Sequence, residues 1–346
     1  YPLIDGVVNG CPSHLLEPQR TNLLQYSEDF TSTEWTKNSV STPIADSISP
    51  DGSLNGYSVI NNAIGTCILY DNEIGASLLD STFSVFFKYK DLQYVSLRID
   101  TPTDTALFDI LNGSIVGSDA TITPRMENYG NGWYRCSITH DSLTAAGNAV
   151  IMWNESGVLN DNTMALTNVG YYIYGAQYEV GSYITSYIPT SGSTVTRVAE
   201  TANGAGDAST FNDSEGVLMA EISALVNNGE SRRISINHST SDTNNRVTLE
   251  VDESTSTIKA FMSSGAVNVG SITVNGVKQT NNNKIALLYK ENTFEMRING
   301  FLLGSDYIIA SLPIGLSRLQ FEGANGSNDF YGSAKQIQYF DSALND

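Results

Sequence analysis

The sequence predicts an all-β chain built from two antiparallel β-sandwich domains in tandem. Short segments alternate polar and apolar residues, and Asn-Gly pairs and other turn signals separate them. No window of useful length shows sustained helical periodicity. The 18 tyrosines and the abundance of Ser, Thr, Asn and Gly are typical of β-proteins with long loops.

Three segments show the alternation most clearly. Each places three apolar residues on one predicted sheet face: Phe83, Val85 and Phe87; Val95, Leu97 and Ile99; and Phe294, Met296 and Ile298. The third segment is followed by Asn299-Gly300, which predicts a two-residue type I′ hairpin turn. Asn112-Gly113 and Asn275-Gly276 carry the same signal.

A shift in composition divides the chain. Residues 196–216, "TRVAETANGAGDASTFNDSEG", are small, polar and rich in Gly, and alternation resumes only at Val217. We therefore predict an N-terminal arm over residues 1–14, a first domain over 15–198, a linker over 199–212 and a second domain over 213–346. The opening "YPLIDGVVNG" reads as mid-protein, so we expect an upstream part.

The segment "LLEPQRTNLLQYSEDF", residues 15–30, fits neither a strand nor an amphipathic helix. It carries two apolar pairs around a proline and an arginine. We expect it to wrap the edge of the first sandwich, with these residues buried: Leu15, Leu16, Leu23 and Leu24.

Charge and cysteine content limit the partners. Asp and Glu outnumber Lys and Arg 37 to 18, a net charge of −19, which argues against binding nucleic acid or anionic membrane. Neither a signal peptide nor an apolar run of membrane-spanning length occurs. The cysteines and histidines show no metal-ligand spacing: Cys11, Cys67, Cys136, His14, His140 and His238. Such a low cysteine content fits synthesis in a reducing cytoplasm, and a single disulfide stays possible.

No catalytic constellation stands out. Glycosidases of sandwich fold place three acids at alternating positions of one strand, whereas "LEVDEST" offers only Glu250 and Asp252 on one face, with Glu253 on the other. The chain lacks G-x-S-x-G, and His140 lies beside Asp141 without a nucleophile pattern. We predict that the protein is not an enzyme.

Several pieces, in order, resemble a domain of bacteriophage and prophage structural proteins. They are "CPSHLLEPQRTNLLQYSEDF" with Trp35, "PDGS" at 50–53, "NGWYRCSIT" at 131–139 and "YGAQYEVGSYITSYIPTSGSTVTRVAE" at 174–200. The resemblance implies a carbohydrate-binding-module-like jelly roll. Residues 282–304 and 330–344 resemble the laminin-G-like or concanavalin A-like sandwiches that follow it. Together they imply a tail-fibre or head-fibre component of a virion, assembled in the host cytoplasm. They also imply a homotrimer, with other virion proteins as partners.

Tyrosines in "YYIYGAQYE" are the candidate glycan-binding residues. Simple alternation sends Tyr172, Tyr174 and Tyr178 to one sheet face, where Trp153 is added as a fourth ring. The alternative is that these rings pack against other strands or neighbouring subunits. Trp133, inside the "GWYR" piece, is expected to anchor a core instead.

No cofactor is predicted, although calcium stays a candidate because laminin-G-like folds hold it in loops. Residues 327–330, "SNDF", and Asp161 with Asn162 offer oxygen ligands, but no spacing separates them from ordinary turn residues.

The functional prediction is a non-catalytic fibre or adhesin module that binds host-surface polysaccharide in host recognition, with weak sites multiplied by copy number. Two alternatives stay open. One is a purely structural head or tail decoration protein without a ligand, and the other is a secreted bacterial carbohydrate-binding module.

Overall fold

A computed structural model describes residues 12–71, 80–100, 103–141, 148–226, 229–239, 242–252, 256–307 and 311–344, together with the backbone of two short strands before residue 12. Within these ranges every regular element is a β-strand. The predicted class, all-β with antiparallel sandwiches, is confirmed.

Among the described residues, the structure holds no helix of the length and apolarity needed to cross a membrane.

The strands follow one another along the chain and are numbered in that order. The first ten are β1 (Leu3–Ile4), β2 (Val7–Val8), β3 (His14–Leu16), β4 (Arg20–Asn22), β5 (Trp35–Asn38), β6 (Ile44–Ser47), β7 (Gly56–Ile60), β8 (Gly65–Thr66), β9 (Ile68–Asp71) and β10 (Ser81–Tyr89). The next ten are β11 (Tyr94–Asp100), β12 (Thr103–Asp109), β13 (Ser114–Ser118), β14 (Ile122–Gly130), β15 (Trp133–His140), β16 (Ala149–Asn154), β17 (Thr163–Met164), β18 (Gly170–Val180), β19 (Val195–Arg197) and β20 (Glu215–Ala224). The last nine are β21 (Ser231–Asn237), β22 (Arg246–Asp252), β23 (Thr257–Ser264), β24 (Val267–Asn275), β25 (Asn283–Lys290), β26 (Thr293–Ile298), β27 (Phe301–Asp306), β28 (Arg318–Gln320) and β29 (Gly332–Phe340).

The first compact unit comprises Tyr1–Gly10 and Gln19–Val198. Its main sheets have six strands each, in the orders β14-β15-β10-β18-β7-β6 and β13-β12-β11-β16-β9-β5. One core lies between them and includes Phe83, Phe87, Leu97, Trp153 and Tyr171. Burial of such large apolar side chains is the main force that holds a sandwich closed.

The second unit comprises Cys11–Pro18 and Ala199–Asp346. A six-stranded sheet of order β27-β26-β25-β20-β29-β3 faces a five-stranded sheet of order β24-β23-β22-β21-β28. The inward residues alternate along each strand, as Val247, Leu249 and Val251 do on β22.

The predicted alternation is confirmed on three strands. All nine apolar residues assigned to one face on β10, β11 and β26 lie in a core. Asn299 and Gly300 both have positive φ, 53° and 89°, as a type I′ turn requires. The two other Asn-Gly pairs differ, because neither Asn112 nor Asn275 has positive φ and each pair sits in a longer connection.

The division between the units falls at Val198, beside the predicted start of the linker. Residues 199–212, predicted as a linker, pack on the second unit, where Ala205 pairs with Leu319 and Phe211 joins the core. The reason is local, since this polar segment still carries Phe211, which needs a buried environment.

The opening segment is shared between the two units, although the sequence assigned all of it from residue 15 to the first. Strand β3 pairs with β29, which brings Leu16 into the second core, whereas Leu24 is buried in the first. Leu23 is partly buried, and Leu15 is 40% exposed because it points away on the other side of β3, which corrects the expectation that it is buried.

Candidate functional site

Two of the four predicted glycan-binding rings lie in the core of the first unit. Trp153 is 0% exposed, contacts Tyr171 at 5.5 Å between ring centres, and donates from Nε1 to the Val169 carbonyl at 3.2 Å. Tyr178 is also buried and packs against Phe83. Neither ring is accessible to a sugar, so these two assignments are corrected.

A β-bulge separates Tyr178 from its predicted companions. Ser84 on β10 pairs with Gln177 on β18, whereas Phe86 pairs with Tyr174, so two residues of β18 oppose one of β10. Gly175 adopts a left-handed φ of 54° at this point. Because an extra residue reverses the alternation, Tyr172 and Tyr174 point outward and Tyr178 points into the core.

The outward rings of the first unit form a cluster that we call the tyrosine face. Its members lie on β10, β14, β15 and β18 and on the segment after β18: Phe86, Tyr129, Trp133, Tyr172, Tyr174 and Tyr187. Trp133 is almost fully buried here and donates to the Ile48 carbonyl at 3.0 Å. Tyr172 is partly exposed, whereas Tyr174 is buried.

Two hydroxyls of the tyrosine face, those of Tyr174 and Tyr187, already have partners in the chain. Tyr174 donates to Glu28 Oε1 at 2.9 Å or to Asp51 Oδ2 at 3.0 Å, and Tyr187 lies 2.8 Å from Ser27 Oγ. Burial first, and then the Glu28 carboxylate, raises the pKa of Tyr174. Hydrogen bonds, that from Ser49 first, lower the pKa of Asp51 to about 2.

The second unit carries an open recess on the outer face of its five-stranded sheet, which we call the arginine pocket. Its volume is about 500 Å³ and its lining is mainly polar: Arg233, Thr243, Asn244, Arg246, Glu250, Phe261, Ser263, Ala266 and Asn268. Sequence reasoning did not find it. The available signal was the outward position of Arg233, Arg246 and Phe261, next to the buried Ile234, Val247 and Met262.

Strand register gathers these side chains. Arg233 on β21 pairs with Glu250 on β22, and Phe261 on β23 pairs with Thr248, which lies between Arg246 and Glu250. The central guanidinium carbons of Arg233 and Arg246 lie 5.2 and 4.9 Å from the centre of the Phe261 ring. Such cation–π contacts hold flexible arginines against a rigid sheet.

Each arginine also donates a hydrogen bond from one nitrogen of its guanidinium group. Arg233 donates from Nε to Glu250 Oε2 at 2.6 Å, and Arg246 donates from Nη1 to the Gly323 carbonyl at 2.6 Å. Burial first, and then the charge of Arg233, lowers the pKa of Arg246. The two guanidinium groups are therefore close enough to repel each other, and their positions are set by the fold.

The carboxylates considered for catalysis are ion-paired. Glu250 contacts Arg233, its Oε1 lies 3.6 Å from Lys259 Nζ, and Asp252 also binds Lys259. The hydrogen bond to Asp252 is the first cause that raises the pKa of Lys259. Glu253 lies outside the described residues, and His140 contacts Asp104 at 3.1 Å. Glu250 and Asp252 therefore each have a cationic partner on a neighbouring strand.

The loops considered for calcium hold mostly local hydrogen bonds. Asp329 Oδ2 accepts from Tyr331 at 3.0 Å, and the backbone of Asp161 bonds to Val158 and Asn154. Within the described residues, no group of three His, Cys, Asp or Glu side chains is arranged to hold a metal ion. Cys67 and Cys136 are buried free thiols, and Cys11 lies outside the described residues.

A second recess of about 390 Å³ lies on the six-stranded sheet of the same unit. Its floor is apolar, with Val217, Met219, Ala286 and Leu288, and charged side chains such as Arg297 occur beside them. We call it the apolar groove. Its hydrogen-bonding groups are the side chains of Lys290, Thr293, Glu295 and Arg297, and no aromatic ring among the described residues lines it.

No protein-family model matches this chain, and no curated protein sequence matches it. A comparison with solved structures finds distant matches. The CBM40 module of the Ruminococcus gnavus IT-sialidase, solved with alpha2,3 sialyllactose, is 13% identical with a TM-score of 0.32 over 42% of this chain and 92% of that chain. The NanB sialidase from Streptococcus pneumoniae is 17% identical with a TM-score of 0.33 over 42% of this chain and 27% of that chain.

Domains LG4-5 of the mouse laminin alpha1 chain are 10% identical, with a TM-score of 0.30, and the match covers 80% of this chain and 85% of that chain. None of these identities reaches a level at which a ligand or an activity transfers between proteins.

Proposed function

We propose that this chain is a non-catalytic glycan-binding module of a phage fibre and that the glycan binds in the arginine pocket. The observation that carries the proposal is the placement of an aromatic ring, two guanidinium groups and several amide and hydroxyl groups around one open recess. A sugar needs an apolar surface beside its C–H face and hydrogen-bonding groups around its hydroxyls, and the lining supplies both.

The size and stiffness of the recess support this reading. Its volume of about 500 Å³ lies within the range of small-molecule sites, which are clefts of roughly 300–1,000 Å³. Arg233, Arg246 and Phe261 stand on neighbouring strands of one sheet, so a ligand would not have to order them. Preorganisation of this kind increases affinity because less conformational entropy is lost on binding.

The fibre setting is supported by the phage-type sequence pieces, and it fits a weak single site. Several copies in a homotrimer would bind a repetitive host polysaccharide with an avidity far above that of one site. Under this proposal the protein is located in the virion, and its partners are other virion proteins and the host surface.

The test is binding of the purified, labelled chain to an array of bacterial glycans, with calcium supplied. We expect a saturable signal on a related set of glycans, and Phe261→Ala should reduce it. Phe301→Ala is the matched control, because Phe301 is 70% exposed and lies on β27, outside the pocket lining.

Each outcome favours one reading. Silence of the folded chain across a broad array would refute glycan binding and favour the structural virion role. Binding to glycans but not to intact host cells would favour the secreted module. Equal losses in the Phe261 and Phe301 variants would refute the arginine pocket as the site.

A further inference from the structure

We infer that the arginine pocket selects glycans that carry a carboxylate, such as uronic or nonulosonic acids, over their neutral counterparts. The inference rests on the proposed function and names the ligand class of the same site. It depends on three features of the pocket: its local charge, the donors that it leaves open and the way in which its arginines are held.

The local charge opposes that of the whole molecule. The lining contains two guanidinium groups and one carboxylate, Glu250, whereas the chain carries a net charge of −19. Glu250 also lies 3.6 Å from Lys259, whose charge is balanced by its contact with Asp252. The nearby Asp242 contacts His238 Nδ1 at 3.2 Å. An anion that reaches the recess therefore meets a positive site on an acidic protein.

The two guanidinium groups are close to each other. Both central carbons lie near the same ring centre, at 5.2 and 4.9 Å, so they are at most 10.1 Å apart. Burial first, and then the charge of Arg233, lowers the pKa of Arg246, so the two charges repel each other. A carboxylate bound between them would relieve that repulsion, which a neutral hydroxyl cannot do.

Donors are left over in the pocket. Arg246 Nε is buried and has no hydrogen-bond partner among the described residues. Nor does any described residue accept a hydrogen bond from Nη2 of Arg233 or of Arg246. A guanidinium group only donates and a carboxylate only accepts, so a carboxylate matches this surplus, and the planar fork of arginine favours two parallel bonds to it.

The fold fixes where these donors lie. Glu250 holds Arg233 through Nε, and the carbonyl of Gly323 holds Arg246 through Nη1. Phe261 packs against both groups and limits their rotamers. Because no described residue accepts a hydrogen bond from either Nη2 group, these contacts position the arginines for an anionic ligand.

The experiment compares charged and neutral forms of the same sugar. Oligosaccharides of glucuronic, galacturonic and mannuronic acid and of N-acetylneuraminic acid, each beside its methyl ester, are titrated calorimetrically into the whole chain. We expect at least one acid to bind about tenfold or more tightly than its ester, since hydrogen bonds between charged groups are the strong ones. Raising the salt concentration should weaken binding of the acid and leave binding of the ester unchanged.

Variants locate the effect. Arg246→Gln should weaken binding of the acid about tenfold to a hundredfold, and Arg246→Lys should restore part of it, because lysine keeps the charge without the fork. Arg125→Gln is the matched control, since Arg125 also contacts one carboxylate, Glu127 at 2.6 Å, but lies on the first unit. Circular dichroism and thermal unfolding check that each variant is folded.

The outcomes separate this inference from the proposed function. Equal binding of every acid and its ester would overturn the inference without using any variant, as would an Arg246→Gln chain that binds acids like the Arg125→Gln control. Binding of neutral glycans that Phe261→Ala abolishes and Arg246→Gln does not affect would overturn the inference alone. If neither acidic nor neutral glycans bind, both the inference and the proposed function are refuted.

Discussion

Replacing Trp153 with alanine decides whether this ring is a core residue or a sugar-binding surface. The structure buries Trp153 completely between the two sheets of the first unit. Burial of a side chain of about 200 Å² at roughly 25 cal/mol per Å² stabilises by about 5 kcal/mol. Large-to-small changes of buried aromatics measure about 3–5 kcal/mol, so we expect a loss of about 4 kcal/mol.

That loss is a large part of the 5–15 kcal/mol that a typical domain possesses. For a unit of this size, about 2–4 °C of melting temperature corresponds to each kcal/mol, so the midpoint should fall by about 8–16 °C. Loss of the indole also removes one of two donors to the Val169 carbonyl, which keeps the backbone N–H of Asn61 at 3.1 Å.

Tryptophan fluorescence is the assay because all three tryptophans lie in the first unit. In Trp153→Ala, Trp35 and Trp133 still report unfolding of this unit without a signal from the second. Tyr172→Ala is the control, because Tyr172 is only partly buried and should cost less than about 1.5 kcal/mol. An unchanged midpoint for Trp153→Ala, with a loss of glycan binding, would refute the placement of this ring in the core.

Three further predictions concern other residues. Hydrogen bonds hold the pKa of Asp51 near 2, below its value in the unfolded chain. The contribution of the ionised Asp51 to stability is therefore complete above about pH 4 and is lost as the pH falls toward 2. Asp51→Asn should flatten the pH dependence of urea unfolding in that window. Gly175→Ala should destabilise the first unit by about 1–2 kcal/mol in the same fluorescence assay, since φ is 54° and the new Cβ would lie 3.0 Å from Tyr187. A reducing-end assay on bound glycans should detect no product from either the unchanged chain or Glu250→Gln, although the variant should bind differently because Glu250 holds Arg233 in the arginine pocket; product that disappears in the variant would contradict the non-catalytic proposal.

Alternation along a strand predicted the fold wherever the hydrogen-bonded ladder is uninterrupted. On β10 the pattern Phe83, Val85 and Phe87 alone indicated the buried face, because side chains repeat every two residues. On β18 the same rule failed beyond Gly175, where the bulge adds a residue. A glycine inside a strand was the available signal, but it does not distinguish a bulge from an ordinary position.

The arginine pocket could not be predicted because it depends on the register of three successive strands, β21, β22 and β23. Alternation does place Arg233 and Arg246 on the faces opposite Ile234 and Val247. Whether two such residues meet depends on which strands pair and how Phe261 is aligned with Thr248, and single-sequence patterns do not contain that information. The assignment of Trp153 as a glycan-binding ring was wrong for a related reason. The strand "AVIMWN" is buried on both faces, so no polar residues mark a solvent-facing side.

Aromatic abundance is therefore a poor marker of a binding face in this protein, and unused hydrogen-bonding capacity is a better one. The tyrosine face has more rings, yet the chain itself supplies partners for the hydroxyls of Tyr174 and Tyr187. The hydroxyls of Tyr174 and Tyr187 could donate to a sugar only after they had broken their contacts with Glu28, Asp51 or Ser27. The arginine pocket has one ring, and its guanidinium groups retain donors that the described residues do not satisfy. A ligand there adds hydrogen bonds without breaking existing ones, which is why we propose that glycan binds to the second unit.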